Sequence, residues 1–391
     1  MPSASDNPTP TALGGLKILD FSRVLAGPLS TMVLGDLGAS VVKIERPGKG
    51  DDTRSWGPPY DQRGIASYFD SVNRNKSSLA LDLRDPEDLR LARELAAQAD
   101  VVVENFRPGV MAGYGLGYEQ LRDENPALIY CSITGFGLGK GAALPGYDLL
   151  VQALGGLMSI TGEPAGSPQK VGVALVDVIC GLFATVGILA ALRHREQSGE
   201  GQLVSISLLE ALLSALVNQA SSLTAGGAVP GRLGNAHPSI SPYELYPCGK
   251  GELVLAVGND RQFADLAAVL GSPALASDPR FESNEQRVAN RAELKTALIT
   301  LLADRSAQQW ADALTAARVP AGVVNDIAAA FTLAERLGLD PCVSFPLGGG
   351  AELHLPRNPI GLSATPPVYH SAPPQLGERT AGDWARESGG S

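Results

Sequence analysis

The stretch VGVALVDVICGLFATVGILAAL, Val171–Leu192, is twenty-two residues long and carries one charge, Asp177. Three readings compete: a bilayer span, a buried core helix with a capping carboxylate, or a helix that presents a reactive group. Energetics alone do not decide. A central Asp costs about 2.5–3.5 kcal/mol on the insertion scale, against about 0.3–0.6 kcal/mol gained per large apolar residue. Local grammar does better. Val171–Val176 is rich in β-branched residues and reads as extended, and Asp177 is a favoured N-cap residue. A helix starting at Val178 then runs to Arg193, His194 and Arg195, which suit a helix C-terminus. Its uncharged part, Val178–Leu192, has the length of a buried core helix and is short for a span. Cys180, Ala184, Gly187 and Ala191 form a small-residue stripe suited to close packing. The expectation is the core helix of a soluble protein, with no membrane partner.

Composition supports that expectation. A chain of 391 residues, 44% hydrophobic and 18% charged, has the balance of a globular protein with two domains and a sizeable core. The formal net charge of −10 disfavours a dedicated nucleic-acid binder, since no broad basic field neutralises phosphates. A small polyanion held by a few local Arg and Lys side chains is still compatible with it. Cys131, Cys180, Cys248 and Cys342 are far apart, without a CxxC pair or a His cluster, so neither a disulfide framework nor a metal site is expected. The opening MPSASDNPTPTALGG has no basic and apolar signal pattern; residues 1–14 read as a loose tail on a cytoplasmic protein.

Outward from the apolar stretch, short β-type runs alternate with helical ones. Leu16–Asp20, Ser40–Glu45, Ser78–Leu83, Val101–Asn105 and Leu128–Ile133 read as strands; Pro28–Leu37 and Pro86–Gln98 read as helices. Repeated strand–helix–strand units predict an α/β fold with a Rossmann-like parallel sheet, whose ligands bind beyond the carboxyl ends of the strands. The loops FSRVLAGP, RP, ENFRPG and TGFG fall there, and Arg23, Arg46 and Arg107 on one predicted edge point to an anion site. The chain reads as helical from Tyr147 to Gly226, interrupted at Gly162–Lys170. The expected division is a large domain of 15–225 and 325–391 and a smaller α/β domain of 226–324.

Asp177 is the only charge between Lys170 and Arg193. A helix N-terminus favours an anion by about 0.3–1 kcal/mol, whereas burial raises a carboxylate's pKa. A carboxylate held ionised in a dry pocket is a competent nucleophile toward an activated acyl group. Taken alone, an Asp before an apolar helix is more often a structural cap.

The ordered motifs LDFSRVLAGP, VVKIERP, NRNKSSLALDL, VVVENFRPGV, CSITGFG, GYD, an Asp opening an apolar helix, and GNAHPSISPYELY resemble the family III CoA-transferases, from about Leu16 to Thr380. These include the formyl-CoA and carnitine CoA-transferases, with α-methylacyl-CoA racemase as a branch. The resemblance implies an interlocked homodimer, no permanently bound cofactor, and a coenzyme A (CoA) thioester as substrate. It implies Asp177 as nucleophile, attacking the donor thioester to give an acyl-aspartyl anhydride and CoA thiolate. The thiolate returns to make an aspartyl-CoA thioester, and a small carboxylic acid then collects the CoA. Arg23, Val24, Leu25 and Ala26 would line the CoA; Arg46, Asn73, Lys76 and Arg107 would contact phosphate or ribose, and Lys140 pantetheine or phosphate. Each polar member also fits a solvated loop side chain.

Two rivals accompany this reading. The racemase branch pairs the Asp with a His in a GHD-type motif, but here Gly146–Tyr147–Asp148 places a tyrosine there, and a phenol near pKa ~10 is a poor base at neutral pH. A non-catalytic acyl-CoA or dinucleotide binder would rest on GFGLGKG, which lacks the GxGxxG spacing. The phrase GNAHPSISPYELY resembles relatives using succinyl-CoA with small dicarboxylates. It nominates Arg232 for a distal carboxylate, with Tyr147, Asn235 and His237 as further substrate candidates. Two departures from the family pattern stand out. GRLGNAHPS replaces the glycine run found in some relatives, and LGERT replaces LGEHT before a tail ending ARESGGS.

Overall fold

A computed structural model describes residues 10–380, which divide into two compact units. The first contains residues up to Leu157, Val171–Gly226 and the chain from Asp340; the second contains Met158–Lys170 and Gly227–Leu339. The interruption at Gly162–Lys170 therefore groups with the second unit.

The first unit is built on six parallel strands: β1 (Lys17–Asp20), β2 (Ser40–Glu45), β3 (Lys76–Ala80), β4 (Val101–Glu104), β5 (Ile129–Thr134) and β6 (Leu203–Ser207). Their order is β3-β2-β1-β4-β5-β6. Successive side chains of a strand point to opposite faces, and here both faces are covered. Ile18, Val41, Val101, Val103, Ile129 and Cys131 enter one core, while Leu19, Val42, Ile44, Val102 and Tyr130 enter the other. That double burial is why β4 and β5 read as continuous apolar runs. The expected third strand is shifted to an earlier start, at Lys76. One expectation fails outright: β6 lies inside the stretch read as helical. LVSIS is short and β-branched, and its pairing with β5 determines its conformation.

The helix containing the opening stretch spans Leu175–Ser198. It is long and apolar enough to cross a membrane by length and composition. In the structure its Val176, Cys180, Ala184, Ile188 and Ala191 belong to the core that also contains β5 residues and Ala26 and Leu34 of the Ala26–Asp36 helix. Gly181 permits the close approach of these two helices, because a Cβ there would stand 2.6 Å from the Ala26 carbonyl oxygen. The helix closes on Gly199, in the left-handed conformation at φ 78°.

The chain from Asp340 adds a β10–β11 hairpin (Cys342–Gly348, Ala351–Pro356) and a tail stitched to the sheet domain. Buried Asp36 accepts from Arg74, Asn75 and Asn358, and Asn75 also donates to the Val368 carbonyl. The second unit is an antiparallel sheet, β7 (Tyr243–Pro247), β8 (Glu252–Ala256) and β9 (Ala321–Val323), around a core that includes Phe263, Leu294, Leu298 and Trp310. Of the expected N-terminal tail, residues 1–9 lie outside those described; Leu13 already bonds to the Leu37 carbonyl. The closing ARESGGS also lies outside them.

Gly181→Val is expected to lower stability by about 1–3 kcal/mol through overpacking against the first helix. Urea denaturation followed by circular dichroism measures it.

Candidate functional site

The strand order reverses between β1 and β4, so the loops leaving their carboxyl ends diverge and leave a crevice. Two cavities occupy that edge. One, about 290 Å³, is lined by Arg23, Val24, Leu25 and Ala26 after β1, Asn105–Pro108 after β4, Thr134–Gly137 after β5, and Tyr147, Asp148 and Asp177. The other, about 460 Å³, lies over β2 and β3 and is lined by Arg23, Arg46, Lys49 and Arg84 together with Phe21, Leu83, Phe106 and Tyr114. Arg23 and Phe106 line both, with the guanidinium carbon 4.5 Å from the ring centre. The second cavity is thus aromatic-walled, with four cations against the two carboxylates Glu45 and Asp82, the latter paired with Arg84 at 2.8 Å, and it adjoins the first at Arg23 and Phe106. Burial, with Arg46 nearby, holds Arg23 below the ordinary arginine value, so an arriving anion relieves a real electrostatic cost.

Asp177 does not occupy the expected cap position. The helix begins at Leu175, earlier than the sequence suggested, and Asp177 sits within its first turn. Ala174 is the N-cap residue and makes no side-chain cap bond. The cap comes from another helix, Asp148–Leu154. Asp148 Oδ1 accepts from the backbone N–H of Val176 at 2.8 Å and of Asp177 at 3.3 Å. Gln152, one turn further along and fully buried, donates to Asp148 Oδ2 at 2.6 Å and accepts from the Val171 N–H at 2.9 Å. Two bonds to the helix start and one to its approach segment fix where Asp177 emerges.

This arrangement also corrects the expected ionisation. Burial first, then the negative charge of Asp148, pushes Asp177 up to about 7. A helix N-terminus worth about 0.3–1 kcal/mol does not offset a shift that large, since one pKa unit corresponds to about 1.4 kcal/mol. Asp177 is therefore poised between its two forms near neutrality. Tyr68 belongs to the same field: burial, then Asp177 and Asp148, raise its phenol above the ordinary value. Gly135 and Gly146 let two cavity loops touch, because a Cβ on either would lie within 2.6 Å of the other's Cα.

Of the residues singled out from sequence, Arg23, Val24, Leu25, Ala26, Arg107, Tyr147 and Asp177 converge on the smaller cavity, and Arg46 on the larger. Asn73 and Lys76, expected at phosphate or ribose, line neither. Both are buried: Lys76 Nζ bonds Asp20, Asn73 and the Pro28 carbonyl, and burial brings its ammonium down to about 8. Lys140 is exposed and lines neither cavity, though Gly141 and Ala142 beside it line the smaller one. Arg232, Asn235 and His237 belong to the second unit. There Arg232 donates to the carbonyls of Glu163 and Gly166, His237 Nδ1 accepts from the Ser239 N–H, and Asn235 is exposed. Sequence reasoning missed Lys49, Arg84, Asn105, Phe106, Tyr68 and Gln152. Asn105 and Phe106 lie in the ENFRPG loop already assigned to the ligand edge, and Gln152 has an i,i+4 spacing from the Asp of GYD; the others left no usable signal.

Residues 13–380 match the family model described as CoA-transferase family III. The succinate–glutarate CoA-transferase of Agrobacterium fabrum is 44% identical over 375 residues, covering 94% of each chain. The succinyl-CoA:glutarate CoA-transferase of Mus musculus is 41% identical over 379 residues, covering 96% of this chain and 86% of that protein. Among solved structures, a CAIB/BAIF family protein from Brucella suis superposes with a TM-score of 0.86 at 42% identity, covering 96% of this chain and 99% of that one.

In a carboxyl-carbon NMR titration, Asp177 is expected to titrate at about 7. Asp148→Asn should move the midpoint down while preserving the helix start, because Asn caps as well as Asp. An unmoved midpoint would leave burial as the sole cause.

Proposed function

The chain belongs to CoA-transferase family III and is a CoA-transferase, and from that premise we propose a reaction that proceeds through covalent intermediates on Asp177, with succinyl-CoA as donor and a small dicarboxylic acid such as glutarate as acceptor. The observation that carries the reading is the position of Asp177: a carboxylate lining the cavity that adjoins a cleft with four cations against two carboxylates.

The ionised Oδ of Asp177 attacks the thioester carbonyl carbon. The C–S bond breaks, and CoA leaves as a thiolate with the electron pair, giving an acyl-aspartyl anhydride. The thiolate attacks the aspartyl carbonyl carbon, the bond from that carbon to the bridging anhydride oxygen breaks, and the donor acid departs with that oxygen as its carboxylate, leaving an aspartyl-CoA thioester. The acceptor carboxylate repeats the sequence in reverse and carries CoA away. Each step passes one negative charge from oxygen to sulfur or back, with no net proton and no ATP, because an anhydride is at least as activated as a thioester. In this reading the larger cleft takes the nucleotide end of CoA, where Arg46, Lys49 and Arg84 face its phosphates and Phe106 and Tyr114 offer apolar surface. Arg23, at the junction, serves both cavities. The acceptor preference rests on the relatives' names and on the GNAHPSISPYELY motif.

We further propose that the working form is an interlocked homodimer. Leu182, Phe183 and Val186 on the Leu175–Ser198 helix, with Leu149 and Leu154 on the helix that caps it, are exposed apolar side chains of a kind that partner chains cover. The same helix packs its other side in a sheet core, which favours a second copy over lipid as the cover. Four free cysteines suit a cytoplasmic, reducing location.

Asp177→Ala is expected to lower CoA transfer by about a thousandfold or more, as loss of a nucleophile does. Hydroxylamine should trap the wild-type intermediate as a hydroxamate on Asp177, detectable by peptide mass spectrometry. Native-rate transfer in the variant would sink the mechanism. Because only the carboxylate attacks, the rate should fall about tenfold per pH unit below the Asp177 midpoint. Light scattering should give the mass of two chains.

A further inference from the structure

The loop from β1 to the first helix is held one residue at a time. Ser22 is gripped by Asp20, whose Oδ1 accepts from its N–H at 2.9 Å and its hydroxyl at 2.5 Å, and by Lys43, which donates to its carbonyl at 2.7 Å. Arg23 is gripped by Asn105, which accepts from its N–H at 2.8 Å and donates to its carbonyl at 2.7 Å. Val24 is gripped by Asp51, whose two carboxylate oxygens lie 3.3 and 3.2 Å from its N–H.

Val24 is also the strained member. Its φ is 69°, in the left-handed region that a β-branched residue enters only at a cost. That geometry turns the chain so that Arg23 reaches both cavities while Leu25 and Ala26 line the one holding Asp177. Asp51 is unusually well fixed for the task. Its side chain is fully buried beside Lys43 at 3.0 Å, it accepts from the Thr53 N–H and hydroxyl, and its own N–H donates to Glu45. Burial alone would raise its pKa, but Lys43 and the Thr53 bonds bring it down to about 2. The acceptor is therefore a carboxylate at every working pH.

We propose that Asp51 is a positioning residue for CoA binding: it holds Val24 in the left-handed turn that gives the two cavities their common wall. The proposal rests on the reading that these cavities take CoA.

A cycle of four proteins tests it, with CoA itself as the titrant in calorimetry: wild type, D51N, V24G and the double variant. Asp51 Oδ2 both accepts from Val24 and faces Lys43, so an asparagine that keeps its oxygen there turns its NH2 against the Thr53 N–H and loses the bonds that fix the side chain under Val24. In the native background D51N should weaken CoA binding roughly tenfold. In the V24G background the same change should weaken it less than about twofold, since glycine adopts this φ freely. If Asp51 served only to neutralise Lys43, the loss would be equal in both backgrounds, and that result overturns the proposal. Should D51N not fold, K43M/D51L removes both charges together and enters the same cycle, with the same rescue expected. Failure of the wild type to bind CoA would sink the functional reading and this proposal with it. Wild-type binding without rescue by V24G would sink this proposal alone.

Discussion

A parallel sheet whose strand order reverses beside its first strand must leave an unfilled crevice at the carboxyl ends of the two strands flanking the reversal. Here those strands are β1 and β4, and the chemistry of the molecule is arranged around the opening. Connections on either side go to opposite faces, so no crossover covers it. The loop after β1 forms one wall, the loop after β4 another, and the Leu175–Ser198 helix brings Asp177 to it from the side. The close packing of that helix on the Ala26–Asp36 helix then has two consequences. It buries the apolar stretch, and it places the first turns of both helices at the same cavity.

The site uses buried carboxylates in opposite ways, and their surroundings decide which. Asp51 and Asp20 are paired with lysines and rich in hydrogen bonds, so both stay well below the ordinary range. They behave as fixed structural charges. Asp177 has no cation among the causes of its shift, only desolvation and a second carboxylate, and it rises instead. Desolvation is common to all three; the presence or absence of a lysine within about 3 Å separates scaffold from reactive group.

How much of this was legible follows the same division between local and long-range causes. β4 and β5 could be read because double-sided burial leaves a nearly continuous apolar run, a purely local signature, whereas β3, KSSLA, reads two residues late. β6 could not, because LVSIS gains its identity from pairing with β5, some seventy residues away in sequence. Asp177 stood out as a solitary charge, yet its role as a cap was misread: the helix start is governed by Asp148, on a different helix. Lys76 illustrates the limit best. A lysine following NRN looks like a solvated cation awaiting phosphate, and nothing nearby reveals that Asp20 lies 3.1 Å away in the fold. Arg84 was invisible for the converse reason. It joins Arg46 only because β2 and β3 are neighbours in the sheet, whereas Lys49 shares the loop after β2 with Arg46.

For the mechanism proposed above, separating the cap from the nucleophile has a chemical consequence. Had Asp177 capped its own helix, its oxygens would have been spent on backbone N–H groups, and the bonds that hold an anion in place also make it a poorer nucleophile. With Asp148 taking over those N–H groups, the Asp177 carboxylate keeps its lone pairs and its place on the cavity wall. The charge of the capping group adds a second effect, since it destabilises the ionised nucleophile before reaction. In the proposed mechanism that repulsion is relieved once Asp177 becomes an uncharged anhydride or thioester, because the negative charge has then moved to sulfur or to the departing acid. On the proposed mechanism, a single carboxylate on a neighbouring helix therefore orients the nucleophile, spares its oxygens and raises its ground state.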